Sequence, residues 1–198
     1  MLINIVYDVD DVLNNLNYVV FESLGMLDNM PKRFNISECE QYTDEEKKAI
    51  LEMYGKTETF AKTSLNDGAK DICNIEKSGL ALVYINSRNF SEEIARIKTN
   101  MLLEQIPGLS YHRIEMQIGN GEGKRITENA HIVIEDCITN LFKYPSKAVK
   151  ILINRSHNQA DEYGIIDEEA GIIRVKDLKS AVEMVENIVN EMGQVMTN

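Results

Sequence analysis

The chain has 198 residues, with 43% hydrophobic and 27% charged side chains and a formal net charge of −11. That length provides one domain, or one domain with a modest insert, and enough chain to bury a core without cross-links. The composition excludes a disordered or fibrous chain, and the acidic balance argues against a nucleic-acid polymer as partner, since like charge repels a polyanion. No apolar run approaches the roughly 20 residues of a membrane helix, and the first residues lack a basic start before a long apolar stretch, so no membrane association and a cytoplasmic location are expected. Cys39, Cys73 and Cys137 are odd in number, widely spaced and without a CxxC pair. Free thiols are expected from them, not disulfides or a zinc site.

The first predicted element is a strand over 2–7, a nearly continuous apolar run followed directly by Asp8-Val9-Asp10. Residues 15–66 are strand-poor and read as a small helical insert. Within them Thr43-Asp44-Glu45-Glu46 is a capping-box pattern ahead of a helix ending near Gly55, with Ile50, Leu51 and Tyr54 on its apolar side. A second strand over 80–85 leads into Asn86-Ser87-Arg88. Ser91 then caps a helix through Ile106, with Ile94, Ile97, Met101 and Leu102 on its apolar side and Pro107-Gly108 as its stop. Residues 111–115 form a weaker strand candidate. Strands over 131–135, ending in Glu135-Asp136, and over 150–154 follow. Asp177 caps a last helix with an apolar stripe of Leu178, Ala181, Val182, Val185, Ile188 and Val189.

Unbroken apolar strands alternating with helices imply an α/β fold. The expectation is a Rossmann-like parallel sheet with helices on both faces, built from 1–14 and 67–198, with a small helical cap over 15–66 inserted after the first strand. Ligands of such sheets bind beyond the carboxyl ends of the strands. Asp8, Asp10, Asn86, Ser87, Glu135 and Asp136 all stand there, and Lys124 shortly precedes the fourth strand. Carboxylates gathered at one edge repel each other unless a cation sits among them, and hard oxygen donors suit Mg2+. A carboxylate can attack phosphorus, a second can handle the leaving-group proton, and a hydroxyl and a lysine can hold the phosphoryl oxygens.

Val6-Tyr7-Asp8-Val9-Asp10-Asp11-Val12-Leu13 resembles the first motif of the haloacid dehalogenase superfamily, DxDx[TV] after an apolar run. Leu82-Val83-Tyr84-Ile85-Asn86-Ser87-Arg88 resembles its second motif, with Asn86 where Thr is usual. Lys124, with Arg125 as alternative, matches the third, and Ile132-Val133-Ile134-Glu135-Asp136 the fourth. The resemblance implies Asp8 as nucleophile and Asp10 as acid and base. It implies Asn86, Ser87 and Lys124 on the phosphate, and Mg2+ held by Asp8, Asp10 (through its carbonyl) and Asp136, with Glu135 assisting from behind. Leu65-Asn66-Asp67-Gly68-Ala69 and Ile151–Gln159 further resemble segments of the 5′-deoxyribonucleotidase group, which carries a small cap in the same place. The function implied is a magnesium-dependent phosphomonoesterase acting on a small phosphorylated metabolite, with 5′-nucleotides favoured. The alternative is a catalytically weak member that binds a phosphorylated ligand or a protein partner as a regulator, suggested by Asn86 and by Asp11 where glycine is usual.

Taken singly, each of these residues has a plainer reading. A lone DxD is a solvated loop, Glu135-Asp136 a helix-start acid pair, Lys124 a surface lysine and Ser87 a turn residue. The run Gly119-Asn120-Gly121-Glu122-Gly123-Lys124 fits neither GxxxxGK[ST] nor GxGxxG. His112, His131 and His157 have no metal-ligand spacing and are read as structural or exposed. Phe34, Tyr42, Tyr54 and Phe60 are candidate cap contacts. The oligomeric state stays open.

Overall fold

The structure, a computed structural model, describes residues 2–119, 129–159, 167 and 169–197. Among them β1 (Ile3–Tyr7), β2 (Ala81–Asn89), β3 (Ile114–Ile118), β4 (Ile132–Glu135), β5 (Val149–Ile153) and β6 (Ile172–Val175) form one sheet in the order β3-β2-β1-β4-β5-β6. Every neighbouring pair is parallel. The helices are α1 (Leu16–Ser23), α2 (Asp44–Tyr54), α3 (Thr57–Ala61), α4 (Glu92–Gln105), the single turn α5 (Ile138–Leu141) and α6 (Leu178–Thr197).

Successive strand residues point to opposite faces, and both faces here are apolar. Ile3, Ile5 and Tyr7 pack with Ala181, Val185 and Val189 of α6 and with Ile72 and Ile75 from the helical turns at Ala69–Ser78. Val6, Val133 and Leu152 pack the other way, with Ile138, Leu141 and Tyr144. Gly68 lets the two elements of the first layer meet. Its φ is +91°, and a Cβ there would lie 2.9 Å from Lys179 Cα. Asp177 Oδ1 accepts from Ser180 N at 2.9 Å, so the cap of α6 is made as its sequence implies.

Two strands differ from expectation. Residues 111–113 form a tight turn, and the strand at that edge is Ile114–Ile118, shifted towards the carboxyl end. Its residues are half-buried or exposed, so the apolar signal that marks the central strands is absent there. β6, at the other edge, is four residues long and includes Arg174, whose side chain pairs with Asp167 at 2.5 Å. A short edge strand with a charged residue gave no run to recognise.

The segment between β1 and β2 leaves and re-enters the sheet at one place. Asn14 and Leu65 form an antiparallel bridge, and the Asn66 side chain donates to Val12 O at 2.8 Å and Asn14 O at 2.6 Å. Beyond that neck, α1, α2 and α3 bury Val20, Phe21, Tyr42, Ile50 and Phe60 together with Ile94 of α4. The Thr43–Glu46 capping box starts α2. Tyr42 and Phe60 therefore belong to the apolar cluster that the insert shares with α4.

Candidate active site

β1 and β4 lie side by side, and the chain proceeds outwards from them in both directions. The crevice of a doubly wound sheet opens at such a reversal. Asp8 leaves β1 there, with its N–H on Ile134 O at 3.0 Å, and Glu135-Asp136 close β4. The next residues, Val9–Leu13, make one wide turn in which Asp10 is extended and Asp11 has φ +58°. The left-handed region disfavours most side chains but tolerates Asp. Two sets of bonds hold Asp11 there. Its carbonyl accepts from Arg155 Nε at 2.8 Å and Nη2 at 2.5 Å, and its Oδ1 accepts from Asn17 N at 2.8 Å. Asp11 thus makes the turn where the family pattern has glycine.

Asp8, Glu135 and Asp136 each offer a carboxylate oxygen, all within 4.8 Å of one another. Glu135 and Asp136 are buried. Three carboxylates that close, two of them out of water, repel strongly when ionised, and a small hard cation among them removes that cost. The donor set is all oxygen, which fits Mg2+. Asp10 sits differently. Its carboxylate is turned to Lys98 and to the Asn14 amide, which donates to Oδ1 at 3.2 Å.

Lys98 was not expected in the site. It is 1% exposed, and its ammonium meets Asp10 Oδ2, lies 3.4 Å from Ser87 Oγ and stands 4.7 Å from the centroid of the Phe60 ring. Its sequence signal was present: Lys98 falls four residues after Ile94 and four before Leu102, inside the apolar stripe of α4. A charge on the buried face of a helix needs a buried partner. Lys124 lies outside the described residues. Asn86 and Ser87 part company, as neighbours on a strand must. The Ser87 hydroxyl faces Lys98, whereas Asn86 Oδ1 accepts from Gln117 Nε2 at 2.8 Å.

His157, expected to be structural or exposed, is structural and lies at the site. It is buried, and its Nε2 is 2.8 Å from Asp136 Oδ2 while its Nδ1 is 3.2 Å from Asn17 Nδ2. Burial pushes its pKa down, Asp11 pulls it up, and Arg155 pushes it down again. The carboxyl of Asp11 is pushed up to about 7, first by burial and then by the Asp136 charge. Asn158, beside His157, braces the end of β4 by donating to Asp136 O at 2.7 Å.

A cavity of about 410 Å³ opens above these groups. Asp8, Asp10 and Asp136 line it. Phe34, Leu51 and Tyr54 from the insert line it together with Phe90, and Arg33 and Arg88 add positive charge to its lining. Phe34, Leu51 and Phe90 are 50%, 49% and 56% exposed, a cluster of apolar groups left open around one mouth. Of the four expected cap contacts, Phe34 and Tyr54 line the cavity.

No protein-family model matches the sequence, and no curated protein matches it. Solved structures do share the fold. A hydrolase from Pseudomonas syringae is 15% identical with a TM-score of 0.55, covering 94% of this chain and 99% of its own. A haloacid dehalogenase-like family hydrolase from Streptococcus pneumoniae is 16% identical with a TM-score of 0.54, covering 92% of this chain and 98% of its own. A predicted phosphatase from Clostridium acetobutylicum is 13% identical with a TM-score of 0.57, covering 96% and 99%. The chain has the α/β fold of the haloacid dehalogenase-like hydrolases.

Proposed function

We propose that the chain is a phosphatase that hydrolyses small phosphomonoesters through an aspartyl-phosphate on Asp8. The observation that carries this reading is the pairing of two opposed groups at one strand edge: the carboxylates of Asp8, Glu135 and Asp136, and the buried cation Lys98 between Asp10 and Ser87. The hydrolases and the phosphatase that share the fold support the same reaction class. Mg2+ held by Asp8, Asp136 and the Asp10 carbonyl, with Glu135 behind them, would neutralise the carboxylates and draw phosphoryl charge.

Asp8 attacks phosphorus and forms a new O–P bond as the ester P–O bond breaks. Asp10 gives its proton to the departing oxygen. Water then attacks the same phosphorus, Asp10 takes a proton from it, and the P–O bond to Asp8 breaks to release inorganic phosphate. Lys98 and Ser87 hold the phosphoryl oxygens as charge spreads over them. The insert carries Phe34 and Tyr54 over the leaving group and limits water during the first step. Aromatic and aliphatic walls suit a planar leaving group such as a nucleoside, and the two arginines suit the charge of the phosphoryl group, so 5′-nucleotides are the favoured class, in a cytoplasmic setting.

A second reading, a silent phosphoester-binding regulator, draws on one feature: Asn86 is engaged with Gln117 where a threonine hydroxyl is usual. The deciding experiment is phosphate release from mononucleotides and sugar phosphates, with Mg2+ and with chelator, beside Asp8→Asn. Magnesium-dependent release abolished in a folded Asp8→Asn supports the enzyme. No release from any ester, with a ligand still raising the melting temperature, supports the regulator.

A further inference from the structure

A buried line of polar groups joins the insert to the carboxylate cluster, and its hydrogen bonds are not used in the steps above. Tyr54, at the end of α2, bonds through its hydroxyl to Asn17 Oδ1. Asn17 Nδ2 lies 3.2 Å from His157 Nδ1, and His157 Nε2 lies 2.8 Å from Asp136 Oδ2. Asn17, His157 and Asp136 are all buried. Chemistry sets the direction of this line. An ionised carboxylate only accepts, so Nε2 carries the proton of the neutral ring and Nδ1 must accept. The Asn17 amide then donates to Nδ1, and its carbonyl accepts from the Tyr54 hydroxyl. Every bond donates the same way, from α2 through α1 to the end of β4. The Phe34 ring stands edge-on to His157, 5.8 Å between centroids, and adds a second contact from the insert.

We infer that Tyr54, Asn17 and His157 form a relay through which the seating of α1 and α2 fixes the orientation of the Asp136 carboxylate. His157 holds one oxygen of that group, so its plane, and the way it is presented to a cation, depend on where Asn17 sits. Tyr54 in turn locks the Asn17 amide. These three are positioning residues. The coupling is reciprocal: whatever the insert contributes to cation binding, the bound cation returns to the ordering of the insert. The inference rests on the metal-dependent reading above.

Binding of Mn2+ and Mg2+ measured by calorimetry tests it on the full chain, with a metal-free melt as control for folding. The set is wild type, Tyr54→Phe, His157→Ala, His157→Gln and the Tyr54→Phe/His157→Ala double variant. Tyr54→Phe removes the one oxygen that bonds to Asn17 Oδ1, and about threefold to tenfold weaker binding is expected. His157→Ala is expected to weaken binding about 10- to 100-fold, as loss of a partner behind a ligand does. His157→Gln, whose amide N–H can replace Nε2–H, recovers part of that loss. In the His157→Ala background Tyr54→Phe adds nothing, because the line is already cut. Mg2+ also slows amide hydrogen exchange in α1 and α2 of wild type but not of His157→Ala. Unchanged ion affinity in folded Tyr54→Phe, or an equal Tyr54→Phe loss in both backgrounds, overturns the relay. Should His157→Ala not fold, Tyr54→Phe alone decides. A wild type that binds ion and hydrolyses esters while Tyr54→Phe is flat sinks the relay alone; a wild type that does neither sinks the phosphatase reading and the relay with it.

Discussion

Lys98→Met is the substitution that separates this site from one organised by Lys124. Methionine nearly keeps the volume of the side chain, lacks its terminal ammonium and removes its charge, so the effect reports chiefly electrostatics. Lys98 is 1% exposed and Asp10 27%. A fully sealed pair would lose about 3–5 kcal/mol when one partner goes. Water can reach Asp10, so the cost lies nearer the ~1.5–3 kcal/mol of a charged hydrogen bond. For a chain of this size that is a fall of roughly 3–12 °C in Tm. Turnover should suffer more. Removing a preorganised group from developing charge costs about 10²–10³ in kcat, or ~2.7–4 kcal/mol. The assay is phosphate release under saturating Mg2+ well below the lowered Tm, with Lys124→Met in parallel. If Lys98→Met keeps turnover within about threefold of wild type while Lys124→Met loses ~100-fold, the assignment of the cation to α4 is wrong.

Three further outcomes follow from the fold. Asp177→Ala removes the cap of α6 and should cost about 1 kcal/mol at pH 7. Its carboxyl lies below the ordinary value of 3.8, chiefly because Ser180 N–H donates to it. The stabilisation is therefore full above that value and lost as pH falls through the folded pKa, so thermal melts of wild type and variant should converge below about pH 4; a gap that widens there contradicts the cap. Gly68→Ala places a Cβ 2.9 Å from Lys179 Cα at φ +91°, and urea unfolding should show a loss of roughly 1–3 kcal/mol; an unchanged midpoint refutes that close seating. The Cys73 thiol is pushed up to about 11 and that of Cys137 to about 12, both mainly by burial. A thiol reagent at pH 8 should label neither quickly in the native chain and all three cysteines after unfolding, as read by absorbance; rapid native labelling of Cys137 would refute its burial.

How much of this could be read beforehand depended on where the deciding contacts lie in the chain. β1, β2, β4 and β5 announced themselves because strands covered on both faces are apolar throughout. The caps at Ser91 and Thr43 were legible because capping acts over three residues. β6 and the register of β3 were not, because edge strands bury little and leave no pattern. In the site, Asp8, Glu135 and Asp136 converge as their positions after adjacent strands imply. Lys98 is harder to read, because a charged residue on a helix is ordinarily assigned to water: its place inside the apolar stripe of α4 is a local hint, and the Asp10 partner that explains it lies 88 positions away. His157 was hidden for the same reason: its partners, Asp136 and Asn17, are 21 and 140 positions off. The turn at Asp11 shows the converse. Where the resemblance has glycine, Asp11 stands at φ +58°, and Asn17 and Arg155 supply the restraint that holds it there.

The placement of Ile94 has a consequence for how such proteins diversify. α4 belongs to the sheet by sequence, yet Ile94 completes the apolar cluster of the insert while Lys98, one turn on, enters the site. Grafting the 15–66 segment of a relative onto this chain would bring a new cavity wall but strand Ile94 against foreign side chains, within one helical turn of the cation. The natural unit of exchange is therefore the insert together with the first two turns of α4, a discontinuous module whose two pieces must change together.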